Sequence, residues 1–406
     1  MYDIKKISGG VCAAKGFKAG GIHCGIRKNR KKSDLALIVS EKKASAAAVY
    51  TLNLVKGAPL TVTKANLADG YAQAVIVNSG NANTCNSNGI EIAEGMCALV
   101  EKHTGICASN VVVASTGVIG QKLDLAPIAG GMDALTAALK SDGSCDAAEA
   151  IMTTDTKVKE IAFSFTAGGK SCHIGGIAKG SGMIHPNMAT MLLFITTDAK
   201  VEPAVLQAAL SSVVPATFNQ ISVDGDTSTN DTVLLLASGL SGAEVQPGTA
   251  DYDTFVAALT QVAEQLSREL AGDGEGATKL LECIVTGAPD LLTARAVSKS
   301  VIHSALFKAA MFGADANWGR VLCAIGYSGA DVDVHKVDVA FRSAAGTVRV
   351  CVDGAGIPFS EEEAKQVLLE KEIEILVDLK SGDEGATAWG CDLTYDYVKI
   401  NGDYRT

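Results

Sequence analysis

The chain has 406 residues, enough for two or three domains or for one large α/β unit with an appendage, and so for a sizeable buried core. Its 35 Lys and Arg against 45 Asp and Glu leave a net charge of −10, which argues against nucleic acid or an anionic membrane as partner and favours small solutes. Hydrophobic residues make up 48% and aromatics only 5%, with 42 Gly, so general disorder is excluded and the core is expected to consist of Ala, Val, Leu and Ile around many tight turns.

The first residues show neither a continuous apolar h-region nor an Arg-rich amphipathic stretch, and no window approaches a membrane span, so a cytoplasmic protein is expected. Leu35-Ala-Leu-Ile-Val39, Ala74-Val-Ile-Val77 and Val111-Val-Val113 are short apolar runs closed by polar or Gly-rich turns, the pattern of strands buried on both faces. Helical stretches lie between them. From about Asp251 to Leu270, Phe255, Leu259, Val262, Leu266 and Leu270 recur at spacings of three and four and predict one amphipathic helix. From about 330 the texture changes to alternating strands, Val332 to Phe341 and Val348 to Val352, joined by a Ser-Ala-Ala-Gly-Thr turn. A helix is predicted to begin at Ser360, where Glu363 completes a capping box. These features suggest a main α/β domain over 1–280 and a smaller α+β lobe over 281–406.

Several chemistries are excluded by pattern. The 11 cysteines contain no C-x-x-C pair and read as reduced, mostly buried thiols. The 6 histidines never fall at i, i+4, so a helical zinc site is not indicated and no metal is expected. There is no G-x-S-x-G elbow, no G-x-x-x-x-G-K-[ST] loop and no G-x-G-x-x-G.

What remains is a Lys- and Gly-rich loop, Lys179-Gly-Ser-Gly-Met183, running through Pro186 toward an apolar strand expected to open near Thr190. A threonine there becomes a competent nucleophile if its own α-amine is free to take the proton. An α-amine titrates near 8, and apolar surroundings lower that value. Freeing it requires scission of the Ala189–Thr190 bond, by attack of the hydroxyl on the Ala189 carbonyl, an N-to-O acyl shift and hydrolysis. That would leave chains 1–189 and 190–406. The same residue also reads as an ordinary β-branched opening of a buried strand. A second feature is the strand ending in Ser115-Thr-Gly117, a turn that can aim backbone N–H groups and the Thr116 hydroxyl at one point, as an oxyanion requires; it too has an ordinary reading, as a strand-to-helix connection.

Along nearly its whole length the sequence resembles the ornithine acetyltransferase family, the glutamate N-acetyltransferases of the cyclic arginine pathway. The blocks that carry the likeness include Gly16 to Gly25, Asn78-Ser-Gly-Asn-Ala-Asn83, Ala114 to Gly120, Ile151-Met-Thr-Thr-Asp-Thr156, Lys179 to Met183 and Pro186 to Leu192. Further on come Ser222 to Asp231, Asp273 to Lys279, Asn317-Trp-Gly-Arg320, Ala324 to Gly329 and Tyr397 to Thr406.

The resemblance implies an αββα-type layered α/β fold with a smaller C-terminal α+β lobe. It implies self-cleavage between Ala189 and Thr190, with Thr190 as nucleophile and acetyl carrier, and an oxyanion hole at Thr116 and Gly117. Substrate contacts map to Thr153, Lys179, Thr190, Glu275, Asn401 and Thr406, with Thr153 and Thr154 both open for the first of these. Residue chemistry fits these roles: N-acetylornithine offers a carboxylate suited to Lys179 and a cationic amine suited to Glu275. The implied reaction is ping-pong transfer of acetyl from N2-acetyl-L-ornithine to L-glutamate, without metal or organic cofactor; whether acetyl-CoA is a further donor stays open. The two fragments are expected to remain together and pair into an α2β2 assembly. Two positions depart from the family pattern, His185, where a small residue is usual, and Ala314-Asp-Ala316. An aminopeptidase or amidohydrolase with an N-terminal nucleophile, resolving its acyl-enzyme with water, is the rival; a non-catalytic binding protein is a second.

Overall fold

The computed structural model describes residues 2–28, 32–185 and 191–403. It divides them into two units. The first holds the described residues up to Gly180, those from Met191 to Pro215, and Thr227–Leu266; the second holds Ser181 to His185, Ala216–Asp226 and the described residues from Ser267 onward. The division therefore falls near 266 and not near 280, and two short earlier segments belong to the C-terminal lobe. The physical reason is strand pairing: Ile221–Ser222 runs parallel to Glu384–Cys391, with Ile221 opposite Trp389.

The first unit is built on a mixed sheet of nine strands among the described residues. Its order is Lys5–Ile7, Lys159–Ala167, Lys170–Lys179, Leu192–Thr197, Thr232–Ala237, Leu35–Tyr50, Tyr71–Asn81 and Val111–Val118, with Phe17–Ile22 paired to Leu35–Tyr50. Alternation decides the two faces. Leu35, Leu37, Ala74, Ile76, Val111 and Val113 pack against Ile92, Met96 and Val100 of the helix Gly89–Thr104 and against Ile128, Met132 and Leu135 of Leu125–Ala137. Ala36, Ile38, Val75, Val77, Val112 and Ala114 cluster on the other face with Ala147, Ala148 and Ile151 of Ser144–Ile151. The apolar runs are thus buried on both sides, as their composition requires.

The second unit carries a seven-stranded sheet in the order Ile221–Ser222, Glu384–Cys391, Leu280–Ala288, Glu372–Asp378, Asp338–Ser343, Gly346–Val352, Ala355–Gly356. Val297 and Val301 of Leu291–His303, Phe307 and Met311 of Ala305–Phe312, and Val367 and Leu368 of Glu361–Leu369 pack on Cys283, Val285, Phe341, Ile373 and Ile375. Both units are thus mixed sheets with helices on them, the layered α/β class that the resemblance implies.

The helix foreseen from about Asp251 to Leu270 spans Ala250–Gly272, and its five stripe residues are fully buried. Ser360 caps Glu361–Leu369, accepting from the Glu363 amide at 3.2 Å. The strand expected to open at Val332 begins only at Asp338. Before it, Asp333 accepts from the His335 amide at 3.1 Å and closes a single helical turn, Val334–Lys336, an aspartate capping that overrides the alternation. Only Cys97, Cys172, Cys283, Cys351 and Cys391 are buried; Cys85, Cys107, Cys145 and Cys323 are exposed, so the thiols are not mostly buried. Among the described residues no helix is long and apolar enough to cross a membrane.

Candidate active site

The Ser-Thr-Gly turn lies where Tyr71–Asn81 and Val111–Val118 run parallel, with Asn78 opposite Ser115 and Gly80 opposite Gly117. Ser115 Oγ donates to Asn78 Oδ1 at 2.6 Å, and Asn78 Nδ2 donates to the Asn81 carbonyl at 2.9 Å. Gly117 has a φ of 131°, and a Cβ there would lie 2.3 Å from the Gly80 carbonyl carbon, so only glycine fits the turn.

Lys179 closes its strand beside this turn. Its buried ammonium donates to the Thr116 hydroxyl at 3.3 Å, which joins two of the expected site residues directly. Lys179 stands opposite Leu192, and Leu192 opposite Thr232, so three neighbouring strands end together. Burial pushes the lysine down from its ordinary value, while Asp155 supports its charge.

Asp155 organises the base of this group. Its Oδ1 accepts from Lys159 Nζ at 2.7 Å and from the Gly180 amide at 2.7 Å, and its Oδ2 accepts from the Thr153 amide at 2.9 Å. One carboxylate therefore ties the Thr153 segment to the residue after Lys179. Burial works against its charge, but Lys179 and Lys159 outweigh it and hold the carboxyl well below the usual range. Asp231, just before Thr232–Ala237, shows the opposite balance: it is buried, its Oδ2 has no hydrogen-bond partner among the described residues, and burial pushes it well above the usual range against the pull of Ser228 and Lys179.

Glu275 and Asn401 meet in the second unit, where Asn401 Nδ2 donates to Glu275 Oε2 at 2.8 Å and to the Tyr397 carbonyl at 3.1 Å. The Glu275 amide donates to the Ser181 carbonyl at 2.9 Å. A Cβ on Gly182 would lie about 2.5 Å from the Glu275 carboxylate, so this glycine lets the carboxylate lie against the loop backbone. Asp224 accepts from the Met183 and Ile184 amides at 2.6 and 2.8 Å and from the Tyr397 hydroxyl at 3.4 Å. Burial, with Asp224 and Glu275 adding to it, pushes the Tyr397 phenol up.

Of the expected site residues, Thr116, Gly117, Thr153 and Lys179 thus fall in the first unit and Glu275 and Asn401 in the second. Ala189, Thr190 and Thr406 lie outside the described residues. Asp155, Asp224 and Asp231 lie inside the sequence blocks that carry the resemblance, but no role attaches to them there, since Asp155 and Asp231 stand among Thr, Ser and Asn as ordinary polar residues would. Among the described residues no group of three or more His, Cys, Asp or Glu could hold a metal ion.

The ArgJ family model matches residues 18–406. The arginine biosynthesis bifunctional protein ArgJ of Caldanaerobacter subterraneus subsp. tengcongensis is 50% identical over 402 residues, covering 98% of this chain and 99% of that one. The protein of the same name from Symbiobacterium thermophilum is 51% identical over 403 residues, again 98% and 99%. The crystal structure of the Bacillus halodurans arginine biosynthesis bifunctional protein ArgJ aligns with a TM-score of 0.50 and 47% identity, covering 52% of this chain and 98% of that one. Fold and relatives together define an α/β acyltransferase of arginine biosynthesis. The chain belongs to the ArgJ family.

Proposed function

We propose that the chain cleaves itself between Ala189 and Thr190 and that Thr190 then carries acetyl from N2-acetyl-L-ornithine to L-glutamate. In the first half-reaction the Thr190 hydroxyl attacks the acetyl carbonyl. Its proton passes through the Thr190 α-amine to the departing ornithine nitrogen as the amide bond breaks and the ester forms. In the second, the neutral α-amine of glutamate attacks the ester carbonyl, and the Thr190 amine takes its proton and passes it to the departing Thr190 oxygen as the ester bond breaks and the amide forms. Thr116 and Gly117 stabilise the tetrahedral oxyanion in both halves and in self-cleavage; one such donor is worth about 2.7 to 4 kcal/mol. Lys179 holds the substrate carboxylate and Glu275 the cationic amine, with Thr153, Asn401 and Thr406 as further contacts. No metal or organic cofactor takes part. The relatives' description as bifunctional favours acetyl-CoA as a second donor. An α2β2 assembly is the form the family resemblance implies.

The observation that carries this reading is the Lys179 ammonium 3.3 Å from the Thr116 hydroxyl, which couples a carboxylate anchor to the turn meant for the oxyanion. The Bacillus halodurans chain, matched almost completely by about half of this one, supports a halved mature form. The test is an intact-mass measurement with and without N-acetylornithine. Fragments 1–189 and 190–406, with an added acetyl on the second, are expected, and glutamate should discharge it as N-acetylglutamate. Release of free acetate would instead identify the hydrolase, and an uncleaved chain the binding protein.

A further inference from the structure

Among the described residues Val111–Val118 is the last strand of its sheet, so its outward N–H and C=O groups have no ladder partner there. Side chains take that place one by one. Asn66 Nδ2 donates to the Val111 carbonyl at 2.8 Å, and Thr63 Oγ1 donates to the Val113 carbonyl at 2.7 Å while accepting from the Val113 amide at 2.9 Å. Asn230 Nδ2 donates to the Ser115 carbonyl at 3.0 Å. Strand alternation makes 111, 113 and 115 the outward residues, and the next outward group is the Gly117 N–H.

Asn230 differs from the other two caps in being completely committed. Its amide nitrogen also donates to the Ala82 carbonyl at 2.6 Å, and its oxygen accepts from the Thr84 and Thr229 hydroxyls, each at 2.6 Å. All four hydrogen-bonding positions of the amide are used, and the side chain is buried, so it holds one orientation. It also precedes by two residues the strand Thr232–Ala237, whose first amide donates to the Met191 carbonyl at 2.9 Å. The cap nearest the turn thus sits just ahead of the strand that runs beside Leu192–Thr197.

We infer that Asn230 is a positioning residue for acyl transfer, which fixes the Ser115 carbonyl and thereby aims the Gly117 N–H, the next group on the same open edge, at the reacting oxygen. The inference rests on the oxyanion role proposed for Thr116 and Gly117. A planar trans peptide gives the first half of the link, because the Ser115 carbonyl and the Thr116 N–H share one plane; the pairing of Thr116 with Ser79 limits the Thr116 dihedrals that carry this orientation on to the Gly117 N–H, and the glycine has no side chain to fix it by itself.

The test compares Asn230→Asp, which keeps the shape but cannot donate to Ser115, with Asn66→Asp, which disables the same kind of cap at the far end of the strand. For transfer from N-acetylornithine, normalised to cleaved enzyme, Asn230→Asp should lower kcat about 100-fold with KM changed less than about twofold, and should slow self-cleavage. Asn66→Asp should lower the thermal midpoint without that loss of kcat. If Asn230→Asp does not fold, Thr84→Val, which removes one donor orienting the Asn230 oxygen, should lower kcat about tenfold at constant KM. Equal kcat in the Asn230 or Thr84 variant and in the Asn66 variant, or a loss confined to KM, would overturn the inference. Failure of wild-type protein to cleave and take up acetyl would instead overturn the proposed function.

Discussion

Asp155 and Asp231 are both buried in the same unit and both interact with Lys179, yet their carboxyl groups are pushed in opposite directions. The difference lies in their partners. Asp155 accepts from an ammonium and two amides, so its charge is compensated; Asp231 has an oxygen with no partner among the described residues, so burial wins. A carboxyl raised in the folded state keeps its proton where the unfolded chain has lost it. The stability it brings is complete below its ordinary value of 3.8 and is lost as pH rises from there through the raised value. Asp231→Asn removes this titration while keeping a neutral side chain of the same shape. The fall in stability of the wild type above pH 3.8, up to about 1.4 kcal/mol per pH unit for one proton, should therefore flatten in the variant. Urea midpoints from acid to neutral pH would show it; parallel curves would mean that Asp231 is ionised in the folded protein.

At the scale of elements, the loop from Ser181 to His185 is held by side chains of its own unit. Asp224 receives two of its amides, and the His185 ring lies 4.5 Å from the His303 ring with Nδ1 3.0 Å from Ser222 Oγ. Burial, with Lys299 and His303 adding to it, pushes His185 down to about 3, so at neutral pH the imidazole is neutral and acts through packing and not as an acid. His185 is five residues before Thr190 along the chain, and His185→Ala should slow self-cleavage by up to about 100-fold, the order of a 1 Å misplacement of reacting groups. His185→Phe, which keeps an aromatic ring against His303, should recover much of the rate. A gel time course of maturation decides, and an unchanged rate in the alanine variant would remove His185 from the account. Strands such as Ala74 to Val77 were legible because their burial follows from local composition. The second half of Leu35–Tyr50 was not, because the charged Glu41-Lys-Lys43 looks like the end of a strand; the strand continues through it, with a register shift against Tyr71–Asn81 between Val39 and Ala44. The site shows the same division. Thr116, Gly117 and Lys179 stand out in Gly-rich blocks, whereas Asp155 matters through its bond to the Gly180 amide and Asn230 through Ala82, Thr84 and Ser115 on distant stretches of chain, which spacing along the sequence does not display.

The whole molecule places a constraint on what self-cleavage can do. A cut before Thr190 assigns Leu192–Thr197 and Thr232–Ala237 to the C-terminal fragment, while the strands on both sides of them, Lys170–Lys179 and Leu35–Tyr50, belong to the N-terminal one. Every residue of the two inserted strands is buried. Withdrawing them would break six paired positions on each flank and expose Leu192, Leu193, Phe194, Ile195, Val233, Leu234, Leu235 and Leu236. At roughly 1.5 to 3 kcal/mol for each large apolar side chain, that exposure costs on the order of 10 to 20 kcal/mol before any backbone term. The mature protein should therefore elute in native buffer as one species with the fragments in equal amounts, and the fragments should separate only in denaturant. Because the sheet, and not the scissile bond, joins the halves, the cleaved protein should also unfold close to the temperature of an uncleaved Thr190→Ala variant. Fragments that exchange or come apart in native buffer would contradict the strand order itself.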